Sequence, residues 1–512
     1  MIQVELIPYS NLLNFVAQNE KSLSIYLANI EYIFNEIRNE EVTYFYNLAT
    51  EKKVDRVLYN KTSFIKKSIF SSKGFHQNIL ENKFLNLSSI LDRKIIILKQ
   101  IYNDFILKDS VDLNRLQLQV NSLYKDIEFH FPSFLKEMRF EQNRINRKDS
   151  YKSLPMIQGK LEETVDNIVG TRNELARELG FSDFSELNLS NQGLNIEDFQ
   201  KLILNFEEET RDLFVYHFDR EKTKLNMKNV NAFDVMYLFT RQEYKFKNGP
   251  WNANEYLSNI MSFLKKNDMF FEGSNITIEY MNHQQPPAIT LFKDNEIKIL
   301  INKNLKGFNI LELTFHEFGH AMHAQENLNK SFLLQGESTA FSEGMAQTIE
   351  ILATSHEFLT NYMGLDEVEY QKSMEIKTKY YLYLMRKLCA DSLTRIQYYK
   401  FGNKNFNEIK IQNDSKFLLL NQDKSSIHIA PNEIIGGLKE FTEASLLGFF
   451  IAKALEFKYT NKGRIDLPNF RDDIKQTLLR PGNEINWTEK MEQILKAGLF
   501  IPPNGGLITW KG

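Results

Sequence analysis

Thr314-Phe315-His316-Glu317-Phe318-Gly319-His320-Ala321-Met322-His323 places two imidazoles four residues apart around a glutamate, in an apolar stretch with helical spacing. In an α-helix, residues i and i+4 lie one turn apart on one face. His316 and His320 can therefore present ring nitrogens to a single Zn²⁺. Glu317 projects about 100° around the helix from His316, which suits a carboxylate meant for a water beside the metal rather than for the metal itself. A catalytic zinc site of this kind needs a third protein ligand and one open position.

That third ligand has to come from downstream. A third histidine in the pattern His-Glu-x-x-His-x-x-Gly-x-x-His is ruled out, because Glu326 stands at its place and no glycine intervenes. The run from Gly336 to Glu350 supplies an acid instead. Ser338 or Thr339 reads as a helix N-cap, after which Glu343, Gln347 and Glu350 share one face. Glu343 is the expected third ligand. Gln347 or Glu350 is expected to hold a ligand imidazole by its other nitrogen and fix its tautomer. His323, three residues beyond His320, can face the same cavity. Helix curvature and the need for an open position place it outside the metal shell, in a supporting or packing role.

The totals agree with a large soluble enzyme and exclude other classes. The 512 residues are 42% hydrophobic and 25% charged, which is enough apolar content for a sizeable core. A net charge of −3 gives no grip on a polyanion, so nucleic acid is not an expected partner. The single cysteine, Cys389, lies in a helical run from Tyr381 to Arg395 and reads as a small buried hydrophobe. With no disulfide framework, a reducing compartment is expected. The opening Met1-Ile2-Gln3-Val4-Glu5-Leu6 has no basic region leading into an apolar block, and the apolar run Ala444 to Ala452 is stopped by Lys453. The expectation is a cytoplasmic protein without a membrane partner.

Long amphipathic stretches with few prolines or glycines fill the chain from about Asn11 to Lys148, as in Ile90-Leu91-Asp92-Arg93-Lys94-Ile95-Ile96-Ile97-Leu98. Residues 1–165 are accordingly read as a helical cap or scaffold, and residues 166–512 as the catalytic region, the two forming one cleft-bearing body. A helix from Leu161 is expected to end at Gly180 through a glycine C-cap. Between Ile276 and Asn302 the pattern changes to short Ile-, Thr- and Leu-rich runs, Ile276 to Met281, Ala288 to Phe292 and Ile297 to Ile301. These read as strands of a small sheet. Such a strand either pairs its edge with an extended peptide or simply braces the helix that follows.

Taken together, Phe315-His316-Glu317-Phe318-Gly319-His320-Ala321-Met322-His323 and the segment Glu337 to Glu350 resemble the thimet oligopeptidase and oligoendopeptidase F family of zinc metallopeptidases. The glycine before the second ligand, the third histidine outside the metal shell, and a glutamine four residues after the ligand glutamate all match. Weaker similarity covers Arg172 to Phe184 and Leu478-Leu479-Arg480-Pro481-Gly482-Asn483. The resemblance implies a mainly α, zincin-like helical metallopeptidase with a small β-sheet beside the active-site helix and a deep substrate cleft.

It also implies one Zn²⁺ per chain, short unfolded peptides as substrates, and Glu317 as general base. His428, in Ile427-His428-Ile429-Ala430-Pro431, is the implied partner of the oxyanion. The tyrosines that assist it in the family are missing here. Gly436-Gly437-Leu438 and Gly448-Phe449-Phe450 stand where they would be expected. Two rivals stay open: a carboxypeptidase or dipeptidyl carboxypeptidase of related fold, and a zinc-binding, peptide-binding protein with little turnover.

Overall fold

In the computed structural model, which describes residues 7–84, 86–126, 131–242, 253–269, 275–282, 287–293, 296–304, 308–402, 406–420, 442–461 and 464–495, several helices begin at side-chain caps. Asn19 and Ser22 form a reciprocal capping box at the start of the first long helix, Glu20–Ala49. Asp55 caps the next, Arg56–Phe70. Leu23, Tyr26, Leu27, Ile30, Phe34 and Ile37 recur at helical spacing and are buried against Ile69, Phe70, Phe75, Ile95 and Leu98. Each such side chain contributes roughly 1.5–3 kcal/mol by leaving water.

The expected end at Gly180 is present. The helix Ser153–Glu178 closes with Gly180 at φ +90° and the Phe181 amide donating to the Ala176 carbonyl. Asp183 then caps the helix Phe184–Asn191 through the Ser185 and Glu186 amides.

The N-terminal helices are fastened to the second half of the chain. Leu333 and Leu334 belong to the N-terminal core. Glu31, itself buried, accepts from the Leu333 amide at 3.2 Å and pairs with Lys94 at 2.7 Å. Tyr46 donates to Glu279 at 2.7 Å.

A larger core gathers the helices Ile196–Lys224, Phe308–Asn327, Thr339–Glu350, Glu367–Phe401 and Thr442–Tyr459. Cys389 is buried in it, and burial pushes its thiol well above the ordinary range. Among the described residues, no helix is long and apolar enough to cross a membrane.

The three expected strands form one sheet, β1 (Ile276–Met281), β2 (Ala288–Lys293) and β3 (Glu296–Asn302), in the order β1-β3-β2. β1 runs parallel to β3 and β2 antiparallel to it, so β2 is an outer strand. Side chains alternate between the two faces. Leu291 and Leu300 pack with Val42 and Tyr46 of the first long helix, while Ile297, Ile299 and Ile301 face the core of the helix Phe308–Asn327. Thr290 pairs in register with Ile299 and Phe292 with Ile297, so Thr290 and Phe292 look toward that same helix.

Candidate metal centre

The histidine helix, Phe308–Asn327, and the glutamate helix, Thr339–Glu350, approach each other at Gly319. A Cβ there would meet the Ala346 Cα at 2.5 Å and the Met345 carbonyl at 3.0 Å. Glycine therefore lets the two backbones touch. From the other side, the helix Thr442–Tyr459 presses Ile451 on Gly344 and sets Gly448 against the Glu343-Gly344 backbone. Ser338 caps the glutamate helix through the Phe341 amide. Glu343, in the second turn after this cap, is carried to the histidines.

One ligand atom each from His316, His320 and Glu343 lies within 4.8 Å of the others. His316 Nε2 is 3.5 Å from Glu343 Oε2, and His320 Nε2 is 3.7 Å from Glu343 Oε1. The opposite ring nitrogens are also held. Glu350 Oε2 is 3.0 Å from His316 Nδ1, and Ser342 Oγ is 3.2 Å from His320 Nδ1. Glu350 in turn accepts from the Tyr381 hydroxyl at 3.0 Å. Both imidazoles thus present Nε2 to one point.

The three groups set one another's protonation. Burial opposes a proton on His316, yet hydrogen bonds to Glu343 and Glu350 outweigh it and push its pKa up to about 10. Burial and the neighbouring charge of His316 push His320 down to about 4. Burial would raise the Glu343 carboxyl, but the hydrogen bond to His316 and the imidazole charges hold it below the ordinary value. Two imidazoles and one carboxylate are a donor set that suits tetrahedral zinc with a fourth place open.

The site opens into a cavity of about 550 Å³ lined by β2, the histidine helix, the segment Gln335–Glu337 and Arg38. Glu317 faces it. Thr290 Oγ of β2 donates to Glu317 Oε2 at 2.7 Å. Burial nevertheless raises the Glu317 carboxyl, the Thr290 hydrogen bond only partly offsetting it.

Other expected residues fall differently. His323 Nε2 is 3.2 Å from Glu337 Oε1, and Glu337 pairs with the buried Lys490 at 2.7 Å, so this imidazole serves an ion pair beside the cavity. Gln347 makes no hydrogen bond to either ligand imidazole. Its Oε1 points toward Gly448, where the missing Cβ leaves room. His428 lies outside the described residues, as does Gly436-Gly437-Leu438. Gly448-Phe449-Phe450 is interior to a helix, with Phe450 buried in the core and Phe449 6.0 Å from Tyr381. It is a packing segment. Thr290, Ser342 and Arg38 carry no sequence signal, since Thr in a strand, Ser in a helix and Arg on an amphipathic helix are all ordinary.

No family model and no curated protein matches the sequence. Solved structures do match. PZ peptidase A, solved with an inhibitor, superposes with a TM-score of 0.67 at 14% identity, over 96% of this chain and 92% of its own. Trypanosoma cruzi metallocarboxypeptidase 1 gives 0.63 at 12% identity, over 94% and 96%. A protein described as oligoendopeptidase F from Bacillus anthracis str. Ames gives 0.59 at 13% identity, over 96% and 91%. The chain has the fold of these peptidases. Its mainly helical architecture with a small sheet is thus the one expected from the sequence. Because the likeness spans nearly the whole chain, the N-terminal helices, read from the sequence as a cap or scaffold, belong to that fold as well.

Proposed function

We propose that the chain is a zinc-dependent peptidase hydrolysing bonds in short, unfolded peptides. The convergence of His316, His320 and Glu343 in one cavity with Glu317 carries this reading. Zinc bound there supplies polarisation of a carbonyl oxygen and a lowered pKa of water, toward about 7. Glu317 takes the proton of the attacking water and passes it to the leaving amine, with Thr290 fixing its Oε2. Glu350 and Ser342 keep the imidazoles oriented. The outer strand β2 gives an extended peptide a main-chain partner, which binds without demanding a sequence.

His428 is the proposed hydrogen-bond donor to the oxyanion. Residues 1–165 are proposed as the cap and 166–512 as the catalytic region of one body, supported by a helix, Ser153–Glu178, that runs across the boundary. The lone, buried cysteine supports a cytoplasmic setting.

A carboxypeptidase is the second reading, favoured by the likeness to a metallocarboxypeptidase and by a cation, Arg38, in the cavity wall. A quenched-peptide assay tests the reading. Hydrolysis abolished both by a chelator and by Glu317→Gln is the expected result. Stoichiometric zinc with no hydrolysis across a varied peptide set would overturn it in favour of a zinc-bearing peptide-binding protein.

A further inference from the structure

His323 stands apart from the three grouped ligand residues, and its ring is held by other side chains. Its Nε2 lies 3.2 Å from Glu337 Oε1, and the same oxygen takes the Lys490 ammonium at 2.7 Å. Both members of that ion pair are buried, the Glu337 side chain 1% exposed and Lys490 0%. Lys490 is anchored further by donating to the Leu478 carbonyl at 2.9 Å and by lying 4.6 Å from the Phe341 ring centroid. Phe341 also meets the imidazole edge to face, with centroids 5.9 Å apart. The backbone is fixed as well, because the Asn327 amide donates to both the His323 and the Leu479 carbonyl.

Such a setting selects one tautomer. A carboxylate paired with a buried ammonium only accepts, so Nε2 carries the hydrogen that Glu337 receives. In the neutral imidazole the lone pair then lies on Nδ1. Nδ1 has no partner among the described residues, yet it is not one of the polar atoms that burial closes off from water. The His323 side chain is 8% exposed and lines the same cavity as His316, Glu317, His320 and Glu343. The open nitrogen therefore faces that cavity, as an acceptor whose orientation is set before any peptide arrives.

Its distance from the chemistry follows from the helix. His323 lies three residues beyond His320, which is about 4.5 Å along the helix axis. An extended peptide rises about 3.4 Å per residue, so the acceptor stands about one or two substrate residues from a bond lying against the metal ligands. What a peptide of any sequence can offer there is an N–H donor. Its carbonyl oxygens and carboxylates only accept, and they find no hydrogen on Nδ1 in this tautomer.

We propose that His323 Nδ1 accepts a hydrogen bond from an N–H of the bound peptide, about one or two residues from the bond to be cut. Glu337 and Lys490 act as positioning residues that keep the ring in its accepting tautomer. The donor is either a main-chain amide or the N-terminal ammonium, and a terminal source makes the chain release a short N-terminal piece. The inference rests on the peptidase reading.

The test is binding rather than turnover, in full-length, zinc-loaded Glu317→Gln protein, with octapeptides carrying a C-terminal fluorophore and followed by anisotropy. One arm replaces a single main-chain amide at a time by an ester, which deletes the N–H and keeps the chain length. The other compares a free N-terminus with its des-amino analogue. The expected result is a loss of affinity of about tenfold for one such replacement, shrinking to below about twofold when His323→Leu is added. His323→Asn, whose amide oxygen comes close to the place of Nδ1, should keep part of the loss. Ester losses that arise from pairing with β2 should be the same in all three proteins, which separates them from the His323 contact. Equal losses with and without His323 overturn the contact and leave the peptidase reading standing. A protein with His323 intact that shows no loss at any position does the same, and that result needs no His323 variant to fold. Failure to bind any peptide overturns both.

Discussion

Gly319 lies against Ala346 so closely that a single added Cβ would come within 2.5 Å of the Ala346 Cα, and this contact sets the distance between the histidines and their glutamate. The neighbouring atoms are backbone, which cannot swing aside as a flexible side chain would. Helix packing and metal geometry are therefore the same variable in this protein.

Gly319→Ala should force the two helices apart, with an overpacking loss of about 1–3 kcal/mol. The accompanying displacement of Glu343 should cost zinc affinity. Gly170→Ala is the matched control, since a Cβ at that helical glycine meets nothing within 4 Å. It should be neutral or stabilise by up to about 1 kcal/mol. Thermal melts and zinc content by elemental analysis separate the two variants.

Removing zinc should lower Tm, because a ligand bound only by the folded chain stabilises it, by about 2.7 kcal/mol at a free concentration 100 times Kd. In Glu343→Ala, where the carboxylate that faces both Nε2 atoms is gone, a chelator should leave the melt unmoved. An equal chelator shift in parent and variant would place the metal elsewhere.

Thr290→Val keeps the shape of the strand residue but deletes the donor to Glu317 Oε2. That hydrogen bond lowers the Glu317 carboxyl against the upward push of burial, so its loss should raise the carboxyl further. A smaller fraction of Glu317 is then ionised at a given pH. The acid limb of kcat/KM should move to higher pH and the neutral-pH rate should fall by about tenfold, with zinc content unchanged.

Away from the site, Glu221 is fully buried. Burial would raise its carboxyl, but the hydrogen bond from Lys224, the charge of Lys379 and the hydrogen bonds from Arg241 and Lys379 bring it down to about 2. Since the folded value lies below the unfolded one, this contribution is complete above pH about 4.5 and is lost as pH falls toward 2. Glu221→Gln should remove it at every pH and leave the buried Lys379 with only the longer 3.8 Å pair to the half-exposed Glu375, a loss of about 3 kcal/mol by urea denaturation. The variant should also show a shallower decline in stability below pH 4.5 than the parent.

Legibility in the sequence followed the range of the interaction. The spacing of His316, Glu317 and His320, a cap at Ser338 or Thr339, the glycine end at Gly180 and the short Ile-, Thr- and Leu-rich runs between Ile276 and Asn302 are all set within a few residues, and each appears in the folded chain, the cap falling on Ser338. Gln347 and Glu350 show where this reach ends. Both lie on the same helix as Glu343, and helical geometry alone cannot say which of them meets an imidazole. Packing decided it, turning Gln347 toward Gly448 and bringing Glu350 to His316.

By itself the sequence determined two imidazoles on one helical turn with an acid between them, because bond geometry within a helix fixes neighbours three and four residues apart. Only the tertiary structure decided that Thr290 steadies Glu317, that Ser342 holds His320, and that Arg38 from a distant helix looks into the same cavity. Those contacts join residues that are far apart along the chain or on different elements, and they exist only once a shared core has brought the backbones together.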